Sequence, residues 1–399
     1  MVYAQAGEMD HKMPPLRKVS PILKPVAARC NLRCRYCYYK RSHDTPDRGR
    51  IMGDRVLSRI VDEVIEIAAR IGSKAEFTWH GGEPTLAGLD FFRQVVELQY
   101  ARREASGHQD LQIVNSIQTN ATLISEDWCE LLKEHDVSLG VSLDGPGWLH
   151  NLNRTYASGR GSFEDVMRSI HLLQRYEIRF GALAVITRAS IGHADDIFRF
   201  FVDQGIKQFE LLPCTDLPGE REEDSLTIKP EEYASFMLES LDLWFAEDDP
   251  TTRIRFLESA LQGILGVEPG LCSMSMDCCG AFPSIVPNGN VYFCDDYEGS
   301  EDMRIGNLLT TPLSMLLAEG TRHAEIRSQV HAVKQRCRDT CEWYPACGGG
   351  CPRHNRSGPY EQFGQQNYYC AAYRRILPQL LARSHEIMDA TLAQATAYQ

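Results

Sequence analysis

Between residues 18 and 213 the chain repeats one alternation: a short apolar or β-branched run, then a longer segment with apolar residues at helical spacing. This is the pattern of successive β-α units on a parallel sheet, because each strand needs a helix to carry the chain back to the same edge. The pattern predicts strands over 19–25, 76–79, 112–118, 138–143, 180–186 and 209–212. It predicts helices over 54–70, 90–104, 125–134, 163–175 and 194–204. The fold class is therefore α/β: six units make a partial, open (β/α)6 barrel of the TIM type, whose chemistry sits on loops at the C-terminal ends of the strands.

The first of those loops carries Cys30, Cys34 and Cys37 in the run CNLRCRYC. A structural zinc or a fully ligated iron–sulfur cluster takes four protein ligands, so three thiolates from one loop leave a metal position open to another ligand. Two other readings of the loop stand beside this one: a zinc site completed by His43, and chance spacing in a cysteine-rich chain. Tyr36, between the last two cysteines, would shield a cluster from water and tune its potential. The chain has 14 cysteines and a polar first stretch without the apolar core of an export signal. A cytoplasmic location is expected, and a reducing cytosol keeps thiols free for metal.

A formal net charge of -12 with scattered arginines argues against a nucleic-acid partner. No apolar run approaches the roughly 20 residues of a membrane helix, so no membrane partner is expected. The chain divides into an extension at 1–17, the barrel at 18–235, a helical bridge at 236–268, and a loop-rich region with a terminal helix at 269–399. The charged stretch 218–224 marks the end of the barrel pattern as a solvated loop, and helical segments follow near 230–245 and 253–265. Nine of the 14 cysteines lie from residue 269 onward, where metal would explain how loops hold together.

CNLRCRYC together with Gly81-Gly82-Glu83-Pro84 after the second strand resembles the radical S-adenosylmethionine (SAM) superfamily. The resemblance implies that Cys30, Cys34 and Cys37 hold a [4Fe–4S] cluster whose open iron takes the amino and carboxylate groups of SAM. One electron from the cluster would then cleave SAM to a 5′-deoxyadenosyl radical, which abstracts a substrate hydrogen. Gly81 and Gly82 suit close backbone approach to the methionine amino group. Glu83 belongs to the same motif, and His80, Asn120 and Ser142 would add polar contacts to SAM.

The C-terminal region resembles a SPASM domain, the iron–sulfur extension with two auxiliary clusters. Its first motif fits Cys279-x9-Gly289-x4-Cys294, and its later motifs fit Cys337, Cys341, Cys347, Cys351 and Cys370. With Cys272, the resemblance implies one [4Fe–4S] site of Cys272, Cys279, Cys294 and Cys351, and another of Cys337, Cys341, Cys347 and Cys370. That makes three [4Fe–4S] clusters with SAM as cofactors. Two four-cysteine zinc sites are the other reading of the eight thiols. The pair Cys337 and Cys341 departs from the family's C-x2-C by one residue, and the adjacent Cys278 and Cys279 leave the ligand open between them, with spacing favouring Cys279.

Within the superfamily the segments GGEPTLAGLDFF, SIQTNATLI, VSLDGP with HNLNR, and CDDY are most similar to anaerobic sulfatase-maturating enzymes; Ala121 stands where that family has glycine. The resemblance implies oxidation of a peptidyl cysteine or serine to formylglycine, with Asp295 as the base. It implies a flavodoxin or ferredoxin as electron donor, with a peptide, protein or small molecule as substrate. Of the remaining cysteines, Cys129 reads as core. Cys214, at the end of the sixth strand, supports a rival: a redox-neutral epimerase of a sugar, aminocyclitol or peptide, with this thiol returning the hydrogen atom. A third reading is an iron–sulfur electron carrier, which the open metal position disfavours.

Overall fold

A computed structural model describes residues 16–39, 50–215, 226–275, 278–354 and 367–397, with side chains to residue 385. His43 and the charged stretch 218–224 lie outside the described residues. The barrel pattern emerges as β1 (Ile22–Leu23), α1 (Asp54–Ile71), β2 (Ala75–Trp79), α2 (Leu89–Ala105), β3 (Ile113–Thr119), α3 (Glu126–Glu134) and β4 (Ser138–Ser142). A short α4 (Gly147–Asn153) precedes α5 (Phe163–Arg175), β5 (Phe180–Ile186), α6 (Ala194–Asp203) and β6 (Gln208–Pro213). Then come α7 (Pro230–Glu247), β7 (Arg253–Ile254) and α8 (Arg255–Ile264). The C-terminal part supplies β8 (Ser284–Ile285), β9 (Asn290–Tyr292), β10 (Arg304–Asn307), α9 (Leu313–Leu316), α10 (Arg322–Thr340), α11 (Tyr344–Cys347) and α12 (Cys370–Ala397).

Strands β1 to β6 lie side by side in chain order, all parallel, in one open sheet of order β10-β9-β8-β1-β2-β3-β4-β5-β6-β7. The sequence pattern stops at the sixth strand, yet the sheet does not. β8 pairs in parallel with β1, matching Ile22 to Ser284, and β9 and β10 follow antiparallel. A two-residue β1 is too short to carry a pattern, so only its pairing with β2 on one side and β8 on the other defines it.

Strands β2 to β5 fully bury one face only, which follows from the two-residue period of a strand. On β2 the residues Ala75, Phe77 and Trp79 are fully buried, and Trp79 meets Phe91 and Phe92 of α2 edge-on at 5.8 and 5.5 Å. On β6 Phe209 stacks on Phe201 of α6 at 4.7 Å. The opposite, concave face is half-buried and carries polar residues: Thr78, Ser116, Gln118 and Ser142 are linked in pairs, Ser116 to Thr78 at 3.2 Å and Gln118 to Ser142 at 3.1 Å.

Helix α10 escapes the sequence reading because its inward stripe is largely polar: His323, Ile326, Arg327, Val330 and Lys334 are buried. An apolar-period test sees only two of these positions. Of the others, Lys334 lies beside the auxiliary cysteines. No helix among the described residues is long and apolar enough to cross a membrane.

Candidate active site

The CNLRCRYC loop leaves β1 at the C-terminal end of the sheet and docks on two neighbours. Arg33 and Arg35 donate backbone N–H bonds to the carbonyls of Thr155 and Asn153, at 2.7 and 2.9 Å, and Leu32 bridges Tyr156 antiparallel. On the other side Gly82 and Glu83 donate to the carbonyls of Ala27 and Arg29, both at 2.8 Å. A Cβ at Gly82 would lie 2.1 Å from the Arg29 carbonyl oxygen, and one at Gly81, whose φ is 114°, would lie 2.7 Å from the Ala27 carbonyl oxygen. The close approach these glycines permit is thus to the backbone of the cysteine loop itself. Gly82→Ala is expected to push the loop off its seat and to cost most of the iron bound by Cys30, Cys34 and Cys37, read as iron content and visible absorbance after anaerobic reconstitution. Unchanged iron loading would show that the loop does not need this contact.

Glu83 is fully buried and spends its oxygens on protein donors: Oε1 accepts from Thr85 N–H, Thr85 Oγ1 and Thr119 Oγ1, and Oε2 from Asn120 N–H at 2.7 Å. Burial pushes its carboxyl up against those donors. Its place in the fold is to tie the ends of β2 and β3 together. Asn120 in turn donates to Asn31 Oδ1 at 2.9 Å and reaches Cys30 Sγ at 3.7 Å. Ala121 follows at φ 59°, in the left-handed region, fully buried, where a Cβ costs about 1–2 kcal/mol.

Cys30, Cys34 and Cys37 lie in one another's field, and burial pushes the Cys30 thiol up to about 12 and the Cys34 thiol up to about 11. Thiols raised in this way hold their protons unless a metal replaces them. Beside Cys34 lies the buried Arg154, whose guanidinium bonds Asp144 at 3.1 Å and sits 5.2 Å from the Tyr36 ring. Tyr36 Oη donates to the same carboxylate at 2.5 Å.

Asp295, on the turn after β9, is brought 271 positions back along the chain to Lys24, with which it pairs. Lys24 is fully buried, also donates to Tyr39, and has Glu298 at 3.5 Å. Tyr38 and Tyr39 donate to the Asp295 carboxylate at 2.7 and 3.0 Å. Burial alone would raise this carboxyl, but Lys24, His80 and the donors hold it well below the usual carboxylate range. His80 lies 3.0 Å from Tyr39 Oη through Nδ1, which also accepts from Gly81 N–H, and burial next to Lys24 lowers the ring to about 4. The imidazole is therefore neutral at neutral pH, and the proposed base is ionised.

The nine C-terminal cysteines fall into two groups. Burial, with Cys341 and Cys370 close to both, raises the thiols of Cys337 and Cys347. The extra residue in the C-x3-C pair is taken up by the last turn of α10: Cys341 N–H donates to the Cys337 carbonyl at 2.9 Å, so both cysteines share one helix face. In the other group Cys294 feels Cys351, Cys351 feels Cys279, and Cys278 donates to the carbonyl of Cys272 at 2.7 Å. Lys334, buried, donates to the Ser275 carbonyl at 2.7 Å and lies beside Cys279, Cys278 and Cys351; burial would lower its ammonium, and these thiols outweigh that and raise it. A soft, all-sulfur donor set with a buried cation beside it fits iron–sulfur clusters. Among the described residues no group of three side chains is already drawn in to metal-binding distance.

Sequence reasoning did not assign roles to Lys24, Arg154 or Lys334, which are buried cations of these centres. For Lys24 a signal existed: it is a lone charge in the otherwise apolar run PILKPV that leads into the cysteine loop. Cys214 is 4% exposed; its N–H bonds the Ile186 carbonyl and its own carbonyl accepts from Tyr369 Oη at 3.2 Å. Nothing in this packing favours the epimerase.

A family model described as the radical SAM superfamily matches residues 25–201, and the strand-end thiol loop seated on GGEP defines the chain as an enzyme of that class. It is 34% identical to a cysteine-type anaerobic sulfatase-maturating enzyme of Clostridium perfringens, over 91% of this chain and 95% of the relative. It is 29% identical to a serine-type enzyme of Bacteroides thetaiotaomicron, over 92% of each. The solved structure of native anSMEcpe with bound AdoMet and Cp18Cys peptide matches 94% of this chain and all (100%) of that one, with a TM-score of 0.82 and 32% identity. The chain belongs to the anaerobic sulfatase-maturating enzymes.

Proposed function

We propose that this protein oxidises a cysteine or serine side chain of a sulfatase polypeptide to formylglycine, with Cys30, Cys34 and Cys37 holding a [4Fe–4S] cluster that binds SAM. When bound, the cluster and SAM supply the radical that removes a hydrogen atom from the substrate Cβ. The chain's own residues do the rest. Asp295 accepts the proton of the substrate thiol or hydroxyl, and Lys24, Tyr38 and Tyr39 keep that carboxylate ionised and aimed. His80 stays neutral beside it and holds its Nδ1 on Gly81, which fixes the turn under the cysteine loop.

The auxiliary cysteines would hold the clusters that take up the second electron, and Lys334 would offset part of their negative charge. The electron donor is a small acidic carrier of the flavodoxin or ferredoxin type. Arg29, Arg33 and Arg35 are exposed around Cys30 and present positive charge on a chain of net charge -12.

The observation that carries this reading is the position of the Asp295 carboxylate, seated through Tyr39 and His80 on the GGEP turn that also seats the cysteine loop. The test is anaerobic incubation with SAM, dithionite and a peptide bearing Cys-x-Pro-x-Arg. Aldehyde formation, trapped by a hydrazine and seen by mass spectrometry, is the expected result. Release of 5′-deoxyadenosine with an unchanged peptide would move the substrate elsewhere, and no 5′-deoxyadenosine at all would sink the radical mechanism.

A further inference from the structure

Lys334 of α10 is 3% exposed, and its ammonium donates to the Ser275 carbonyl at 2.7 Å. The buried cations Lys24 and Arg154 pair with Asp295 and Asp144, but among the described residues no carboxylate lies within ion-pair distance of Lys334. A lysine buried without a carboxylate calls for another source of negative charge.

The contacts around it show what supplies that charge. Ser275 belongs to a turn around Cys272, because the N–H groups of Met274 and Ser275 both donate to the Leu271 carbonyl at 3.0 Å. Cys347 and Cys351, which the resemblance places in different auxiliary sites, are separated only by Gly348, Gly349 and Gly350. These three glycines lie in the left-handed region, at φ 55°, 79° and 75°, and form a backbone bridge packed between that turn and α10. A Cβ at Gly348 would strike the Met274 carbonyl, and one at Gly349 would lie 3.5 Å from Lys334 Cγ and 3.7 Å from Cys337 Sγ. Lys334 thus runs along the bridge, with its stem beside Cys337 and its charged head on the Cys272 turn.

The two sites face different charge. The head of Lys334 is shielded from water at the Cys272 turn, whereas Arg336 and Arg338, which flank Cys337, are exposed, and water screens them. The site with the shielded cation is also the one beside the chemistry, since its Cys294 directly precedes Asp295.

We propose that Lys334 sets the order in which the auxiliary sites accept an electron, by holding a fixed positive charge on the Cys272, Cys279, Cys294 and Cys351 site so that this site is reduced first. A buried cation beside an iron–sulfur site stabilises the more negative, reduced form and raises its potential. One electron leaves the substrate radical after Asp295 has taken the proton, enters this site, and passes to the one-electron carrier; Lys334 keeps its charge throughout. This inference rests on the reading that the C-terminal cysteines hold redox-active clusters.

The test is a potentiometric titration of the anaerobically reconstituted full chain, followed by electron paramagnetic resonance, for the wild type, Lys334→Gln and Lys334→Arg. Glutamine keeps a donor for Ser275 and removes the charge, while arginine keeps the charge. Lys334→Gln is expected to disfavour reduction of one auxiliary site by about tenfold or more, a potential lower by about 59 mV or more for one electron, with the other site moving less. Lys334→Arg is expected to stay close to the wild type. Cys341→Ser, at the other site, assigns the signals, because it changes or abolishes the one that does not shift. No shift, equal shifts at both sites, a shift confined to the Cys341 site, or an equal shift in Lys334→Arg overturns the proposal and leaves the proposed function standing. Iron-replete wild type without auxiliary signals overturns the cluster reading and this inference with it. If Lys334→Gln fails to load iron, wild type carrying nitrogen-15-labelled lysine decides. A nitrogen-15 coupling is expected on the reduced auxiliary signal that Cys341→Ser leaves intact, and its absence overturns the proposal.

Discussion

Arg154→Leu is expected to destabilise the protein by about 3–5 kcal/mol, because it strands Asp144 as a buried, unpaired charge. Asp144 is fully buried and serves three partners at once: Arg154, Tyr36 Oη at 2.5 Å and the Val185 N–H at 3.0 Å. It therefore ties the cysteine loop to β5 through Tyr36. Losing the arginine also removes a cation from beside Cys34, so iron loading at the loop should fall together with the urea midpoint. The double variant Arg154→Leu/Asp144→Asn carries no stranded charge and is expected to recover part of the loss. A single variant within about 1 kcal/mol of the wild type, with normal iron, would show that the pair is a surface-like contact worth little.

Asp295→Asn is expected to reduce aldehyde formation by about 10²–10⁴-fold while leaving 5′-deoxyadenosine release largely in place. An amide keeps much of the shape but accepts no proton, so hydrogen abstraction continues and the oxidation stalls. The split between the two products is the informative quantity. Asp295 also holds Lys24, Tyr38 and Tyr39 together, so a merely structural role would lower both products in parallel. Parallel loss, or no loss of aldehyde, would remove Asp295 from the role of base.

Both predictions depend on a carboxylate with partners far away in the chain, Asp144 with Tyr36 and Asp295 with Lys24, and this separates what was legible from what was not. The helices over 54–70 and 163–175 were readable because their apolar stripes repeat within a few residues; the structure has them at Asp54–Ile71 and Phe163–Arg175. The strand at 180–186 was readable for the same reason, while α4 was not, being only 7 residues long. The three-thiol loop and GGEP were legible as motifs, because spacing alone puts their groups on one loop.

Glu83 and the glycines, read from the motif as belonging to SAM, also seat the cysteine loop and join β2 to β3. That duty depends on backbone groups of a different segment and leaves no local trace.

The amino-acid sequence by itself determined the β-α alternation, the open-site thiol loop and the supply of eight further thiols, since each is written in short-range spacing. Tertiary structure decided which groups meet. It added β8 to β10 to the barrel's own sheet, brought Asp295 to Lys24, and set Lys334 among the auxiliary thiols. The physical reason is that a charge or a thiol acquires its character from what surrounds it after folding. Burial and a partner hundreds of residues away set its protonation, and no local period records them.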